Sequence, residues 1–306
     1  MRVLIASSSS LAIPLFNQFE RSETHEILGL LTNPDKPTGR GQKIEANELA
    51  AWAAEQGLKT YKPSNSSEIK LIITNVKPDL VLTIAYGQLI RKEALSIPLY
   101  GWINIHFSEL PKWRGAAPVQ HAIMQGETQT GVSIFKLDEG MDSGPIYIKK
   151  KIQINPNETT GNLLKRLSIL GAEMCLEVLE MIKDGKQPTP QQASLATLAP
   201  KLGKNHGKIK WDTSSVQIYN QYRALCENPG VWCHFGNERL RIIQMRISGV
   251  EHQLRPGEVL IQDENLFVGT KDRAIELLKI TPAGRNTMTA AEFVRGLATK
   301  DGWNLG

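Results

Sequence analysis

Across its first half the chain alternates short apolar runs with amphipathic ones, and that alternation leaves few folds open. Residues 2–6 and 26–32 are compact apolar runs separated by a helical pattern at 11–19. Residues 45–56, rich in alanine and glutamate, form a second helical pattern that stops at Gly57, and 80–85 reads as a further buried strand after Pro78 and Asp79. Strands that alternate with helices pair in parallel, because the helix is the crossover that returns the chain to the starting edge. A Rossmann-like, doubly wound, mainly parallel α/β sheet is therefore expected within residues 1–188, with ligands meeting the carboxyl ends of its strands.

Between 160 and 184, Leu163, Leu164, Leu167, Leu170, Met174 and Val178 recur every three or four residues, which predicts one amphipathic helix facing a core. Gln187-Pro-Thr-Pro-Gln-Gln192 breaks the pattern and opens a polar linker, expected over 189–207. From 208 the texture changes to short β-rich runs at 231–235, 240–247, 259–261, 266–268 and 275–280, divided by Gly236-Asn237, Ser248-Gly249, Pro256-Gly257 and Gly269. Short strands punctuated by glycine turns predict a smaller OB-like β-barrel over 208–306.

Composition excludes several classes. A chain of 306 residues, 41% hydrophobic and 22% charged, has the make-up of a two-domain globular protein. No apolar run approaches the roughly 20 residues of a membrane helix, so a cytoplasmic protein with no membrane partner is expected. Three cysteines form no Cys-x-x-Cys, six histidines are dispersed, and His-Glu-x-x-His is absent, so no metal is expected. Neither Gly-x-Gly-x-x-Gly nor Gly-x-x-x-x-Gly-Lys-Ser/Thr occurs, which argues against NAD or ATP. Basic and acidic residues number 21 and 20 up to 188, then 15 and 11 beyond it, so the net +5 is mostly C-terminal. Lys201, Lys204, Lys208 and Lys210 meet no acid within their decade, a pattern of a solvated linker or of a phosphate-backbone contact.

Three residues carry candidate chemistry. In Trp102-Ile-Asn104-Ile-His106 the polar pair stands at i and i+2 of a strand pattern, so both side chains share one face near the strand's end. Asp142 follows a second strand pattern at 131–137, with Gly140 and Gly144 free to bend its loop back. Taken singly, each residue reads as a turn cap, a core histidine and a loop start. Together, an amide donor, an imidazole and a carboxylate are what acyl transfer between two nitrogens requires.

The wider context resembles the folate-dependent formyltransferases nearly end to end. The matching blocks are Pro34-Asp-Lys-Pro37-Thr-Gly39-Arg-Gly41, Pro78-Asp-Leu-Val81, Ala85-Tyr-Gly87, Asn104-Ile-His106, Leu110-Pro111, Trp113-Arg-Gly-Ala-Ala-Pro118, Thr130-Gly-Val132 and Met141-Asp-Ser-Gly144. Beyond them lie Ala199-Pro-Lys-Leu202, Ile209-Lys-Trp211, Arg255-Pro-Gly257 and Pro282-Ala-Gly284. Two departures stand out: Ser7-Ser-Ser-Ser10 replaces a Gly-Thr-Pro-like turn, and Ser108-Glu-Leu-Pro111 replaces Ser-Leu-Leu-Pro.

The resemblance implies Asn104, His106 and Asp142 as catalytic residues, and a folate site at Tyr86, Gly87, Ser108, Glu109, Leu110 and Pro111. The flanking blocks imply an initiator methionyl-tRNA acceptor, held by Lys36, Arg40 and Lys43 in a basic loop and by Lys204, Lys208 and Lys210. The formyl donor implied is 10-formyltetrahydrofolate, with no metal, and a monomer is expected. Competing readings are a sugar-nucleotide N-formyltransferase, a formyltetrahydrofolate hydrolase using the same three residues on water, and a non-enzymatic RNA-binding protein.

Overall fold

The computed structural model describes residues 1–20, 22–39, 41–249, 253–297 and 302–306. The chain divides into two compact units. The first comprises Met1–Pro118, Gln129–Ile152 and Leu164–Ala199, and the second Val119–Thr128, Gln153–Leu163 and Pro200–Gly306.

The strands of the first unit are β1 (Arg2–Ala6), β2 (Glu26–Leu31), β3 (Lys36–Thr38), β4 (Lys43–Glu45), β5 (Thr60–Tyr61), β6 (Leu80–Thr83), β7 (Trp102–His106), β8 (Gln129–Lys136) and β9 (Ile146–Gln153). Its sheet runs β5-β2-β1-β6-β7-β8-β9. Pairing is parallel from β5 through β7, and β8 turns antiparallel to β7. The helices up to this point are α1 (Ile13–Glu20), α2 (Glu48–Glu55), α3 (Ser66–Val76), α4 (Lys92–Leu95), α5 (Pro118–Met124) and α6 (Thr160–Lys183). Leu163, Leu167, Met174 and Val178 of α6 are buried, as their spacing predicts. Trp102, Leu4, Ile73 and Val81 anchor a core cluster in which no side chain exceeds a few per cent exposure. Burying each such side chain contributes about 1.5–3 kcal/mol.

Because the chain works outward from β1 to β5 and then crosses to β6, the order reverses between β1 and β6. That reversal is the switch point at which open α/β sheets receive ligands. The loops after β1 and β6 meet there: Ser8 Oγ donates to the carbonyls of Ala85 (3.0 Å) and Tyr86 (3.2 Å). Ser9 caps a short 3-10 turn by accepting from Leu11 N. The four serines thus build a hydrogen-bonded turn after β1.

Two stretches differ from the sequence expectation. The basic loop is a hairpin, with Lys36, Pro37 and Thr38 of β3 opposite Glu45, Ile44 and Lys43 of β4. The helix expected from 45 therefore starts only at Glu48, capped by Asn47. Residues 189–199, expected as linker, are hydrogen-bonded within the first unit: Thr189 bridges Ile146, and Leu198 bridges Arg114. Loop backbone groups at 111–117 need partners, and this segment supplies them.

The second unit carries α7 (Ser215–Leu225), β10 (Val231–Phe235), β11 (Glu238–Ile247), β12 (Val259–Gln262), β13 (Asn265–Gly269), β14 (Ala274–Pro282), β15 (Met288–Thr289) and α8 (Ala290–Arg295). The antiparallel order is β10-β11-β14-β13-β12, with β15 on β14. Asn304 and Leu305 bridge Glu258 and Phe235, joining the two edges, so the smaller barrel closes through the last described residues. Closure removes the exposed edges that a short open sheet would present.

Candidate active site

Asn104 and His106 lie on one face of β7, beside the switch point. Trp102, two residues earlier on that face, is fully buried and donates its indole N–H to Ala94 O at 2.8 Å, which fixes the strand's rotation. The cross-strand neighbour of Asn104 is Thr83. Thr83 Oγ donates to Asn104 Oδ1 at 2.6 Å. The amide is thereby oriented with its oxygen toward β6, and among the described residues no protein acceptor takes its Nδ2 hydrogens. Thr83 is a residue the sequence reading missed, although a threonine opposite an asparagine on adjacent strands is a recognisable pair.

His106 is 6% exposed and donates from Nε2 to the Trp113 carbonyl at 2.8 Å. That bond places the proton of the neutral ring on Nε2 and leaves Nδ1 as the nitrogen open to chemistry. Nδ1 faces Asp142 Oδ2 at 3.6 Å, beyond direct hydrogen bonding but close enough for strong charge coupling. Burial pushes the imidazole below its ordinary pKa, opposed by the Asp142 charge and by the bond to Trp113. Phe135 stands edge-on to the ring, 6.4 Å between centroids.

Asp142 arrives by a route that strand alternation does not reveal. β8 runs antiparallel, pairing Ser133 with His106 and Lys136 with Ile103, so it leads away from the site. The loop after it returns, braced internally by Asp138, which accepts from Ser143 Oγ and Gly140 N. Gly144 lies against Lys136 O with no room for a Cβ. Asp142 itself sits at φ +49°, in the left-handed region, and its Oδ2 accepts from Gly115 N at 2.7 Å. Gly115 has φ +122°, and a Cβ there would stand 2.8 Å from Ala199 O. Only glycine presents that donor without strain.

The other sequence-predicted residues divide. Ser108, Leu110 and Pro111 form a wall whose polar groups are already engaged. Ser108 Oγ donates to Lys112 O (2.5 Å), Ser133 Oγ donates to Ser108 O (2.7 Å), and Leu110 N donates to Ser133 Oγ (2.9 Å). Glu109, the departure from Leu, pairs with Lys151 at 3.0 Å, and Lys149 Nζ donates to Leu110 O. Tyr86 is buried in the cluster with Leu4, Val81 and Trp102, its hydroxyl without a partner among the described residues and its pKa raised by burial. Gly87, at φ +76°, follows it at the same loop.

Lys36 and Lys43 are exposed on the hairpin; Asp35 is paired to Lys62 at 2.6 Å, and Glu45 lies opposite Lys36 in the register and accepts from Thr38 Oγ at 2.6 Å. Arg40 lies outside the described residues. In the second unit Lys204, Lys208 and Lys210 are exposed. The Arg239 guanidinium lies 3.8 Å over the Trp232 ring, and Lys208 lies 5.8 Å from it. Arg241 stands opposite Trp232 in the register. Arg239 and Arg241 were missed from sequence, although Arg-Leu-Arg-Ile in a strand places both on the outer face. Among the described residues there is no cluster of three potential metal ligands, and no helix is long and apolar enough to cross a membrane.

Residues 1–179 match the family described as formyl transferase, and residues 201–298 match the formyl transferase C-terminal domain. The chain is 37% identical to the methionyl-tRNA formyltransferase of Streptomyces avermitilis, over all of both chains. Among solved structures it superposes on HypX from Aquifex aeolicus, in complex with tetrahydrofolic acid, with a TM-score of 0.70 at 19% identity. That match covers 99% of this chain and half of the longer one. A methionyl-tRNA formyltransferase from Clostridium thermocellum gives 0.59 at 19% identity, over 82% of this chain and 95% of that one.

Proposed function

The chain belongs to the formyl transferase family, and from that premise we propose that it moves the formyl group of 10-formyltetrahydrofolate to the α-amine of methionine on initiator tRNA. The observation that carries the acceptor is the full-length likeness to an enzyme named for that tRNA, spanning both units. The observation that carries the chemistry is the pairing of an amide with free donors and a buried neutral imidazole facing a carboxylate.

The attacking amine forms a bond to the formyl carbon, and charge develops on the formyl oxygen. Asn104 Nδ2, held outward by Thr83, donates to that oxygen. His106 Nδ1 takes the proton released by the amine, and the Asp142 carboxylate stabilises the resulting imidazolium. When the bond to the donor nitrogen breaks, its electron pair stays on that nitrogen, and His106 returns the proton there. Donors aimed in advance at developing charge contribute several kcal/mol, because they need no reorganisation during reaction. Tyr86, Gly87 and the wall of Ser108, Glu109, Leu110 and Pro111 hold the folate. Their engaged backbone makes the wall a rigid surface rather than a set of donors. Lys36, Arg40 and Lys43, with Lys204, Lys208, Lys210, Arg239 and Arg241, grip tRNA phosphates. A formyl-transfer assay offering aminoacyl-tRNA, sugar nucleotide or water tests this reading, and preference for either of the last two would overturn it.

Two expectations follow from the geometry. Thr83→Val keeps the side chain's shape but frees the Asn104 amide to rotate. Losing one orienting hydrogen bond of about 1 kcal/mol should lower kcat about fivefold to tenfold with unchanged folate affinity. Wild-type kcat in this variant would remove Thr83 from the mechanism. The second concerns pH. His106 must be neutral to accept a proton, and its folded pKa is depressed below 6.5. The His106 contribution to the kcat profile should therefore stay flat as pH falls to 6.5 and drop only below it. The same depression makes the stability contribution of His106 full above its unfolded value and lost as pH falls through the folded one. An acid limb in kcat above the ordinary histidine range, abolished in His106→Asn, would contradict the assignment of a neutral ring.

A further inference from the structure

The Asp142 turn is held in place by a side chain outside the catalytic loops. Gln191 Nε2 donates to the carbonyls of Asp142 (2.9 Å) and Gly144 (2.7 Å). Its Oε1 accepts from Arg114 Nε (3.2 Å) and Nη2 (2.7 Å). Every polar atom of this partly buried amide is therefore used, and it ties together the two loops that supply the site, 111–117 and 138–145. Neighbouring backbone bonds extend the same clamp: Arg114 N donates to Thr197 O (2.8 Å), Ala199 N to Arg114 O (2.7 Å) and Ala117 N to Ala199 O (3.1 Å). Thr197 Oγ accepts from Trp113 N at 2.9 Å, in the same residue whose carbonyl accepts from His106 Nε2.

The clamp acts where the backbone most needs it. Asp142 and Trp113 both occupy the left-handed region, at φ +49° and +62°. Residues other than glycine rarely hold that conformation unless the surroundings enforce it. With carbonyls of Asp142 and Gly144 bound to one amide, the turn has one orientation, and that orientation places Oδ2 between Gly115 N and His106 Nδ1.

We propose that Gln191 is a positioning residue for formyl transfer, holding the Asp142 carboxylate at His106 through the backbone of the 142–144 turn. The proposal rests on the role given to Asp142 above. Gln191→Glu distinguishes it from a merely structural contact, because a carboxylate keeps the partner of Arg114 but cannot donate to either carbonyl. Gln191→Leu removes both functions.

Losing two donated bonds should lower kcat about tenfold to thirtyfold in both variants, with KM for tRNA and for the folate within about twofold of wild type. The acid limb of kcat should also move to lower pH, because the charge that opposes burial at His106 has been displaced. In an Asp142→Asn background, Gln191→Glu should cost nothing further. Wild-type kcat in Gln191→Glu, with Asp142→Asn inactive, would overturn this proposal alone and leave Gln191 as a partner of Arg114. Normal turnover in Asp142→Asn would overturn the proposal together with the site assignment. Should Gln191→Leu fail to fold, Gln191→Glu carries the test by itself, since it retains the Arg114 pair.

Discussion

Replacing Asn104, His106 or Asp142 by alanine is expected to lower turnover by at least about a hundredfold each, with the melting temperature nearly unchanged for Asn104→Ala, whereas Asp142→Ala also orphans the Gly115 N–H that its carboxylate accepts. The magnitude follows from removing a preorganised donor or a proton-transfer group from the reacting atoms. Losing His106 costs stability as well. Its ring is buried against Phe135, and its Nε2–H satisfies the Trp113 carbonyl, so His106→Ala leaves both a cavity and an orphaned acceptor. His106→Asn, smaller in its packing loss, is the better kinetic probe. The three effects should be strongly non-additive, because the proposed mechanism has His106 Nδ1 and Asp142 Oδ2, 3.6 Å apart, act on one proton. A double variant of His106 and Asp142 should be little worse than either single one. Single-turnover rates at saturating substrates would measure this directly, and near-normal turnover in folded Asn104→Ala would remove the central assignment.

The second large effect is ionic. If the basic hairpin and the outer face of the barrel grip phosphates, four contacts alone would weaken tRNA binding roughly a hundredfold between about 50 and 200 mM salt. Folate affinity should respond less, since hydrogen bonds among Ser108, Leu110, Lys112 and Ser133 hold most of the wall together. Substituting Lys208, Arg239 and Arg241 by glutamine should raise KM for tRNA and flatten the salt slope. Their kcat should hold, because a phosphate contact made equally in ground state and transition state changes binding alone. Arg40→Ala should lower kcat as well, if that position orients the acceptor end in addition to attracting it. Kinetics in which Arg40→Ala matches wild type across a salt series would sink the tRNA assignment of the hairpin. They would return a sugar-nucleotide acceptor to contention.

Local periodicity determined much of this protein. Alternating strand and helix patterns specify the parallel sheet, since a 2.0 or 3.6 residue repeat is a property of neighbours in sequence. The buried stripe of Leu163, Leu167, Met174 and Val178 on α6 and the short strands β10 to β14 were legible for the same reason. So was the shared face of Asn104 and His106, because i and i+2 on one strand need no information from elsewhere. Tertiary structure decided what depends on backbone groups finding partners far along the chain. The hairpin at Lys36–Thr38 and Lys43–Glu45 carries proline and glycine, and its pairing is visible only in register. Thr83 fixes the Asn104 amide from the neighbouring strand, 21 residues away. Asp142 reaches His106 although β8 runs away from the site, because a braced loop brings it back. Residues 189–199 have the composition of a linker, yet the unpaired carbonyls and amides of the active-site loops recruit them as a clamp, with Gln191 at its centre. Composition reports what a segment can do in water, whereas the buried backbone of the loops determined what this one had to do.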